Sequence, residues 1–465
     1  MGAMMTKAKQ TAALDIGKWV LCLGVPLGIY LIPLNEVFTR EIRWFLVISI
    51  LAILTVAFDF FNVMVPAILM PIGFLLANVA PAAVIFSPWS QTLVYVIIGA
   101  FLLARVMEEV GLLKRIAYWC IVKSGGSFKG TVWGVFLAGL ILGTITFGNA
   151  YVLMAALCYG ICKALDLGKS MESAVITMVG CISAVSSRMF IYTPFSISLL
   201  ENGGKGVDPD FQISIFGYLW HNLPMLGYCV VFVALMLIFY KPQKAINGKA
   251  YFEEQYAALG PISLKEKKAA ILLIFLIVYL MTNPWHKLPL DYGFILIPWL
   301  AFFPGFKISS GQAIQKMDFP MIFFIVACLS IGTVSGALGI GKLVADTAIP
   351  MLMPLGTTTV LLAVLLMGTL LNFLLTPLAI LAAFANPVAH IAQGLGMSLY
   401  VPLYTLMYST EMVVFPYEYV PQLIFFSFGM MKMGDFVKIS CIKIVLCFLF
   451  LAVVMVPWWR LIGLL

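Results

Sequence analysis

Long apolar blocks with few breaks, such as Val132–Ile145 and Ile444–Met455, leave this chain few possible folds. Blocks of that kind suit helices in lipid, where each backbone N–H and C=O is paired within its own segment. A membrane β-barrel would instead alternate apolar and polar residues. Composition agrees. Of 465 residues, 63% are apolar and only 10% are charged, and the mean hydropathy is +1.06. Soluble domains run nearer ~45–50% apolar and ~25% charged. A water-soluble enzyme and a disordered chain are both excluded. The expectation is an all-α polytopic membrane protein, in contact with lipid and with no nucleic-acid partner despite a net charge of +8.

The nine cysteines lie mostly inside apolar blocks and form no CxxC pair. Cys158 and Cys162 share a helix face, where small apolar filling outweighs metal binding. His221, His286 and His390 fall in separate segments, so no metal cluster is expected. The chain lacks HExxH, a P-loop and a GxSxG elbow. Lys7, Lys9 and Lys18 precede the first apolar stretch, so no cleavable leader is expected.

Basic residues cluster in short loops, which sets sidedness. The N-terminal leader and first span (1–43) start in the cytoplasm. A first repeat runs over 44–240, a linker rich in lysine over 241–269, and a second repeat over 270–465. Eleven full spans plus two re-entrant hairpins fit the pattern, with the C-terminus outside the cytoplasm, in a cell or inner membrane. The hairpins are placed at about 131–162 and 358–391. Two interrupted helices are placed at about 171–196 and 399–422. A plain two-pass pair would give the same loop charges as the first hairpin, so both forms stay open. Asp59, at a break between two apolar runs, reads as a structural turn residue.

The two halves resemble each other. Val106-Met-Glu-Glu-Val-Gly111 matches Val334-Ser-Gly-Ala-Leu-Gly339, an offset of 334 − 106 = 228. Each is followed by Lys and Ala at the same spacing (Lys114 and Ala117; Lys342 and Ala345). An odd number of spans per repeat, with loop charges that reverse between copies, makes the repeat an inverted one. Inverted repeats with broken helices are typical of secondary transporters.

Several segments carry a family resemblance: Gly111-Leu-Leu-Lys-Arg-Ile-Ala117, Pro284-Trp-His, and the block from Phe415-Pro to Gly429-Met-Met-Lys-Met-Gly-Asp-Phe436. Through these the chain resembles the divalent anion/sodium symporter family of the ion transporter superfamily, which carries di- and tricarboxylates. The resemblance implies a homodimer with a scaffold domain and a moving transport domain, working as an elevator. It also implies substrate contacts at the hairpin tips and helix breaks. Carried over residue by residue, these are Gly148, Asn149 and Ala150 at the first tip, and Thr376, Pro377, Leu378 and Ala379 at the second. At the breaks they are Thr193 and Pro194, and Tyr419 and Pro421. The family's Ser-Asn-Thr tips are degenerate here, as are its Thr-Pro-Pro-Asn breaks. Asn149 is the one residual sodium candidate.

A weakened sodium site leaves an anion at membrane depth without its counter-charge. Arg188 offers a bidentate fork for a carboxylate and is expected either to stand in for sodium or to pair structurally. Glu418, beside the second break, is expected to pair with Arg188, to bind a proton, or to be satisfied by backbone amides. Glu411 and Ser186 are further candidates, with Ser183 and Ser187. The reading is a carrier of an organic anion with no cofactor beyond Na⁺ or H⁺ as coupling ion. Exchange or proton coupling is favoured over sodium symport. A sodium-coupled dicarboxylate symporter, a carrier of an inorganic oxyanion or sulfonate, and more remotely a membrane-embedded enzyme remain as alternatives.

Overall fold

The computed structural model describes residues 17–58, 60–148, 150–242, 249–282, 286, 288–289, 291–373 and 375–465. Asp59 and Asn149, both singled out above, lie outside them. The described residues form helices joined by short turns, with no strand among them. Among the described residues, four helices are long and apolar enough to cross a bilayer unaided: Phe128–Ile145, Met171–Lys205, Phe319–Ala337 and Met433–Leu461. The bent pair Ile215–Asn222 and Pro224–Phe239 makes a fifth if counted as one span. Other apolar helices have 10–17 residues, so helix length alone does not yield eleven spans.

The internal repeat is visible in the backbone. Gly111 and Gly339 both take left-handed φ values, +84° and +67°, and each caps the helix that follows it. Only glycine adopts that conformation cheaply, which explains why the identity survives at this point. Downstream of each glycine stands a helical hairpin. The first joins Phe128–Ile145 to Tyr151–Ala164, and the second joins Thr357–Leu371 to Pro377–Gly394. Each hairpin is followed by a broken helix. The first is Met171–Val185 followed by Pro194–Lys205; the second is Tyr400–Ser409 followed by Val420–Ser427. In each repeat a proline stands in the first turn after the break, Pro194 first and Pro421 second in its segment, where its missing N–H costs nothing.

Packing exchanges partners between repeats. Tyr151–Ala164 packs on Val420–Ser427, and its counterpart Pro377–Gly394 packs on Pro194–Lys205. Likewise Met64–Leu76 packs on Phe319–Ala337, and Asp291–Leu296 packs on Thr92–Glu109. A two-fold relation between the halves produces this reciprocal pattern.

Two boundaries differ from the apolar pattern. The first broken helix ends at Val185, and Ser186–Met189 form a 3-10 turn. Arg188 therefore lies in the break itself rather than inside a crossing helix. The second hairpin turns before Pro377: Thr376 is the N-cap, and its hydroxyl accepts from Ala379 N–H at 3.4 Å. Pro377, Leu378 and Ala379 thus form the buried first turn of an arm rather than an open tip. Proline at the first helical position drives this, since it starts helices rather than ending them.

The linker is tied to the body by one buried ion pair. Arg115 Nε donates to Glu266 Oε1 at 2.6 Å, and Nη2 to Oε2 at 3.2 Å. The same guanidinium donates to the carbonyls of Gly260, Leu259 and Pro261. Glu266 closes a capping box with Ser263. The Arg115 hydrogen bond, more than any other influence, holds the Glu266 carboxyl below the usual carboxylate range. A carboxyl so lowered stabilises the fold above its unfolded pKa, and that contribution is lost as pH falls through the folded value. Glu266→Gln is expected to cost about 1.5–3 kcal/mol at neutral pH, the range for hydrogen bonds to charged groups. The gap to wild type should begin to narrow below about pH 4.3, the ordinary glutamate value, and should close only once pH has fallen below the lowered folded value. Thermal unfolding in detergent across pH checks this; a gap that stays constant with pH would contradict it.

Candidate functional site

The two breaks meet around a carboxylate that is fully buried. Glu411 follows the first segment of the second broken helix and is 0% exposed. Its Oε1 accepts from Arg188 Nε, and its Oε2 accepts from Ser186 Oγ at 2.7 Å. Arg188 Nη2 donates to Thr410 Oγ1 at 3.2 Å. The guanidinium also stacks over the Tyr419 ring, 4.9 Å from its centroid, an arrangement that favours Arg over Lys. Arg188's own carbonyl accepts from Tyr218 Oη at 2.7 Å. Arg188 and Glu411 are thus directly paired, as burial demands.

The structure brings Arg188 and Ser186 together near Tyr419, and the acid that joins them is Glu411. Glu418 does not pair with Arg188. Its carboxylate accepts from Val414 N–H at 3.1 Å and Phe415 N–H at 2.8 Å, and so closes its own turn. Short-range geometry decides this: the amides three and four residues upstream are within reach of a side chain in a tight turn.

A third charge was not anticipated. Lys443, among the loop charges near the last span, is 0% exposed. Its Nζ donates to the Glu411 carbonyl at 2.5 Å. It projects from Met433–Phe450 on the same face as the buried Phe436, Ile439, Ser440 and Cys447. That spacing is a helical stripe, and it was the available signal that Lys443 faces the protein.

Asn372, at the end of the first arm of the second hairpin, was also missed. Its Nδ2 donates to the Ser409 and Met412 carbonyls at 2.8 and 3.3 Å. Four buried oxygens at the breaks have no hydrogen-bond partner among the described residues: Ser187 Oγ, Thr193 Oγ1, Ser196 Oγ and Gln422 Oε1. Ser196 and Gln422 are 422 − 196 = 226 positions apart, so they occupy matching places in the two repeats. Pro194 and Pro421 are buried beside them, and Ala150 is buried at the first tip. Gly148, next to the tip, has a φ of +86°.

A cleft of about 740 Å³ opens beside the first break. Tyr192, Glu201, Lys205, His221 and Tyr404 line one wall, and Asp291 with Phe294 the other. Across the first hairpin tip, between Ala150, Tyr151 and Arg105, the space shrinks to about 30 Å³.

The family model described as a citrate transporter (CitMHS) matches residues 44–410, most of the chain. The chain belongs to the citrate transporter family. This citrate transporter homologue is a secondary anion transporter in the membrane, not an enzyme, and its kinship agrees with the carboxylate-carrier resemblance read from the motifs. Among solved structures it is similar to the YdaH transporter of Alcanivorax borkumensis. The TM-score is 0.53 at 16% identity, covering 81% of this chain and 86% of that one; at that identity the likeness shows the fold alone. Neisseria gonorrhoeae MtrF, described as illuminating a class of antimetabolite efflux pumps, aligns with a TM-score of 0.47 at 13% identity. That alignment covers 81% of this chain and 80% of the other. No curated protein matches the sequence significantly.

Proposed function

We propose that this citrate transporter homologue carries citrate or a related di- or tricarboxylate by an elevator mechanism, as an exchanger or a proton-coupled carrier. The observation that supports this reading best is the arrangement of charge at the breaks. Two cations, Arg188 and Lys443, are buried there with two carboxylates, but Glu411 is taken by Arg188 and Glu418 by its own turn's amides, so the charge of Lys443 meets only a carbonyl. An uncompensated charge at membrane depth costs several kcal/mol, and a bound anion would offset it. The N-termini of Pro194–Lys205 and Val420–Ser427 add their positive dipole ends. Ser187, Thr193, Ser196 and Gln422 supply oxygens without partners for hydroxyl and carboxyl groups of the cargo. The cleft beside Tyr192 is the route by which it enters.

An exchanger must keep the empty carrier from crossing. A fixed positive charge in the moving part does so, because the cluster crosses cheaply only when an anion neutralises it. In this reading the protein is a homodimer in a cell or inner membrane, with its N-terminus in the cytoplasm. The test is counterflow in proteoliposomes. Labelled citrate should enter vesicles preloaded with unlabelled citrate, with or without Na⁺. Uptake that needs Na⁺ would overturn the coupling assignment. Absence of counterflow with citrate and with every other di- or tricarboxylate tried would overturn the substrate class.

A further inference from the structure

The C-terminal end of Tyr400–Ser409 is a negative pole in the middle of the protein. Four successive carbonyls stand there, from Ser409 to Met412. Helix ends of this kind attract a cation, since half-helix termini and unwound carbonyls are what coupling ions bind in broken-helix carriers. Here each of the four already has a donor from a protein side chain. Asn372 Nδ2 serves Ser409 and Met412, Arg188 Nη2 reaches Thr410 at 3.5 Å, and Lys443 Nζ takes Glu411. Two of these three donors are formally cationic, and both are buried.

We propose that Lys443 is a tethered replacement for a mobile coupling cation at the second helix break. An ammonium is a compact point charge with three donors and no acceptor, close to what a monovalent metal ion offers a set of carbonyls. Held on Met433–Phe450, it supplies the counter-charge without being released on either side of the membrane. Lys443 is thus a positioning residue: it holds the carbonyl end of the break, and through it the Glu411 carboxylate that orients Arg188. The titratable groups around it are Glu411, Glu418, Cys181 and Cys447. Glu418 is engaged with Val414 and Phe415, which leaves the Glu411 peptide as the ammonium's polar anchor. The inference deepens the proposed anion carriage and rests on it for the transport readout alone.

The test uses the full-length protein with Lys443→Ala, which opens space at the carbonyls, and Lys443→Met, which fills it without charge. In proteoliposomes, wild-type citrate counterflow should be the same in sodium, ammonium or choline chloride. Lys443→Ala should be slower by roughly 10- to 100-fold in choline, the loss of one charged hydrogen bond, and should regain rate with sodium or ammonium in a saturable way. Lys443→Met should be slow in all three salts. A merely structural lysine would not confer a new dependence on a small cation. A second readout is independent of the substrate: the melting temperature of purified Lys443→Ala should rise with ammonium or sodium over choline at equal ionic strength, while wild type stays level. A wild type stabilised saturably by sodium would overturn the inference, as would a Lys443→Ala protein indifferent to cations. Wild type that moves no carboxylate, while Lys443→Ala keeps its cation response, would instead overturn the proposed substrate class.

Discussion

Replacing Glu411 by glutamine is expected to abolish transport and to lower stability by about 3–5 kcal/mol, the cost of leaving a buried charge without its partner. Glu411 has no exposure and touches both cations, Arg188 through its carboxylate and Lys443 through its carbonyl. Without the negative charge, the Arg188 guanidinium stays buried with no counter-charge in a medium of low dielectric constant. Arg188→Gln together with Glu411→Gln should recover much of the stability, because a neutral hydrogen-bonded pair of similar shape is tolerated where a lone charge is not. That double variant should still fail to carry an anion, since Lys443 then remains without the Arg188 fork. Glu418→Gln provides the contrast. Its partners are two backbone amides, so it should cost on the order of 1 kcal/mol and leave transport measurable. Thermal unfolding in detergent, paired with citrate counterflow, reads both quantities. A Glu411→Gln protein as stable as wild type would contradict a buried Arg188–Glu411 ion pair at the breaks.

Those contrasts mark how far the sequence could be read. The hydropathy blocks, the Gly111 and Gly339 pair and the prolines at the breaks are local signals, and each corresponds to a local feature of the backbone. Arg188 stood out because a charge inside an apolar block is costly. Its partner did not, because two acids lay within one turn or two of the second break. Choosing between them needs the direction of each side chain. Glu418 stands directly before Tyr419, yet it serves its own turn's amides. Glu411 sits 411 − 186 = 225 positions after Ser186, close to the repeat offset, and that spacing places both at the same point of their broken helices. Lys443 was hidden by its neighbours Lys432 and Lys438, which are loop-like in charge. Only the period of the apolar residues around it separates it from them. Asn372 escaped because the second tip was placed at Thr376–Ala379, several residues after the turn that follows Leu371.

The second large effect is expected where the hairpins press on the broken helices. A Cβ at Gly143 would come within 2.8 Å of the Ala184 carbonyl, and one at Gly368 within 1.8 Å of Ser409 Oγ. These are the same contact in the two repeats: 368 − 143 = 225 and 409 − 184 = 225. Small residues let helices approach this closely, and in lipid such packing takes the place of a hydrophobic driving force. Gly143→Ala and Gly368→Ala should each lose about 1–3 kcal/mol, the range for overpacking, and larger side chains more. The two should differ in one respect. At Gly143 the Ala184 carbonyl and Ser187 Oγ obstruct equally, both at 2.8 Å, so removing the serine side chain still leaves the backbone contact. At Gly368 the obstruction is the serine side chain, so Ser409→Gly added to Gly368→Ala should return part of the loss. A double-mutant cycle on melting temperature measures that coupling, with contacting residues typically coupled by about 0.5–3 kcal/mol. Strict additivity of Gly368→Ala and Ser409→Gly would mean that this hairpin does not rest on the helix break, and that the two halves are not built on the same contact.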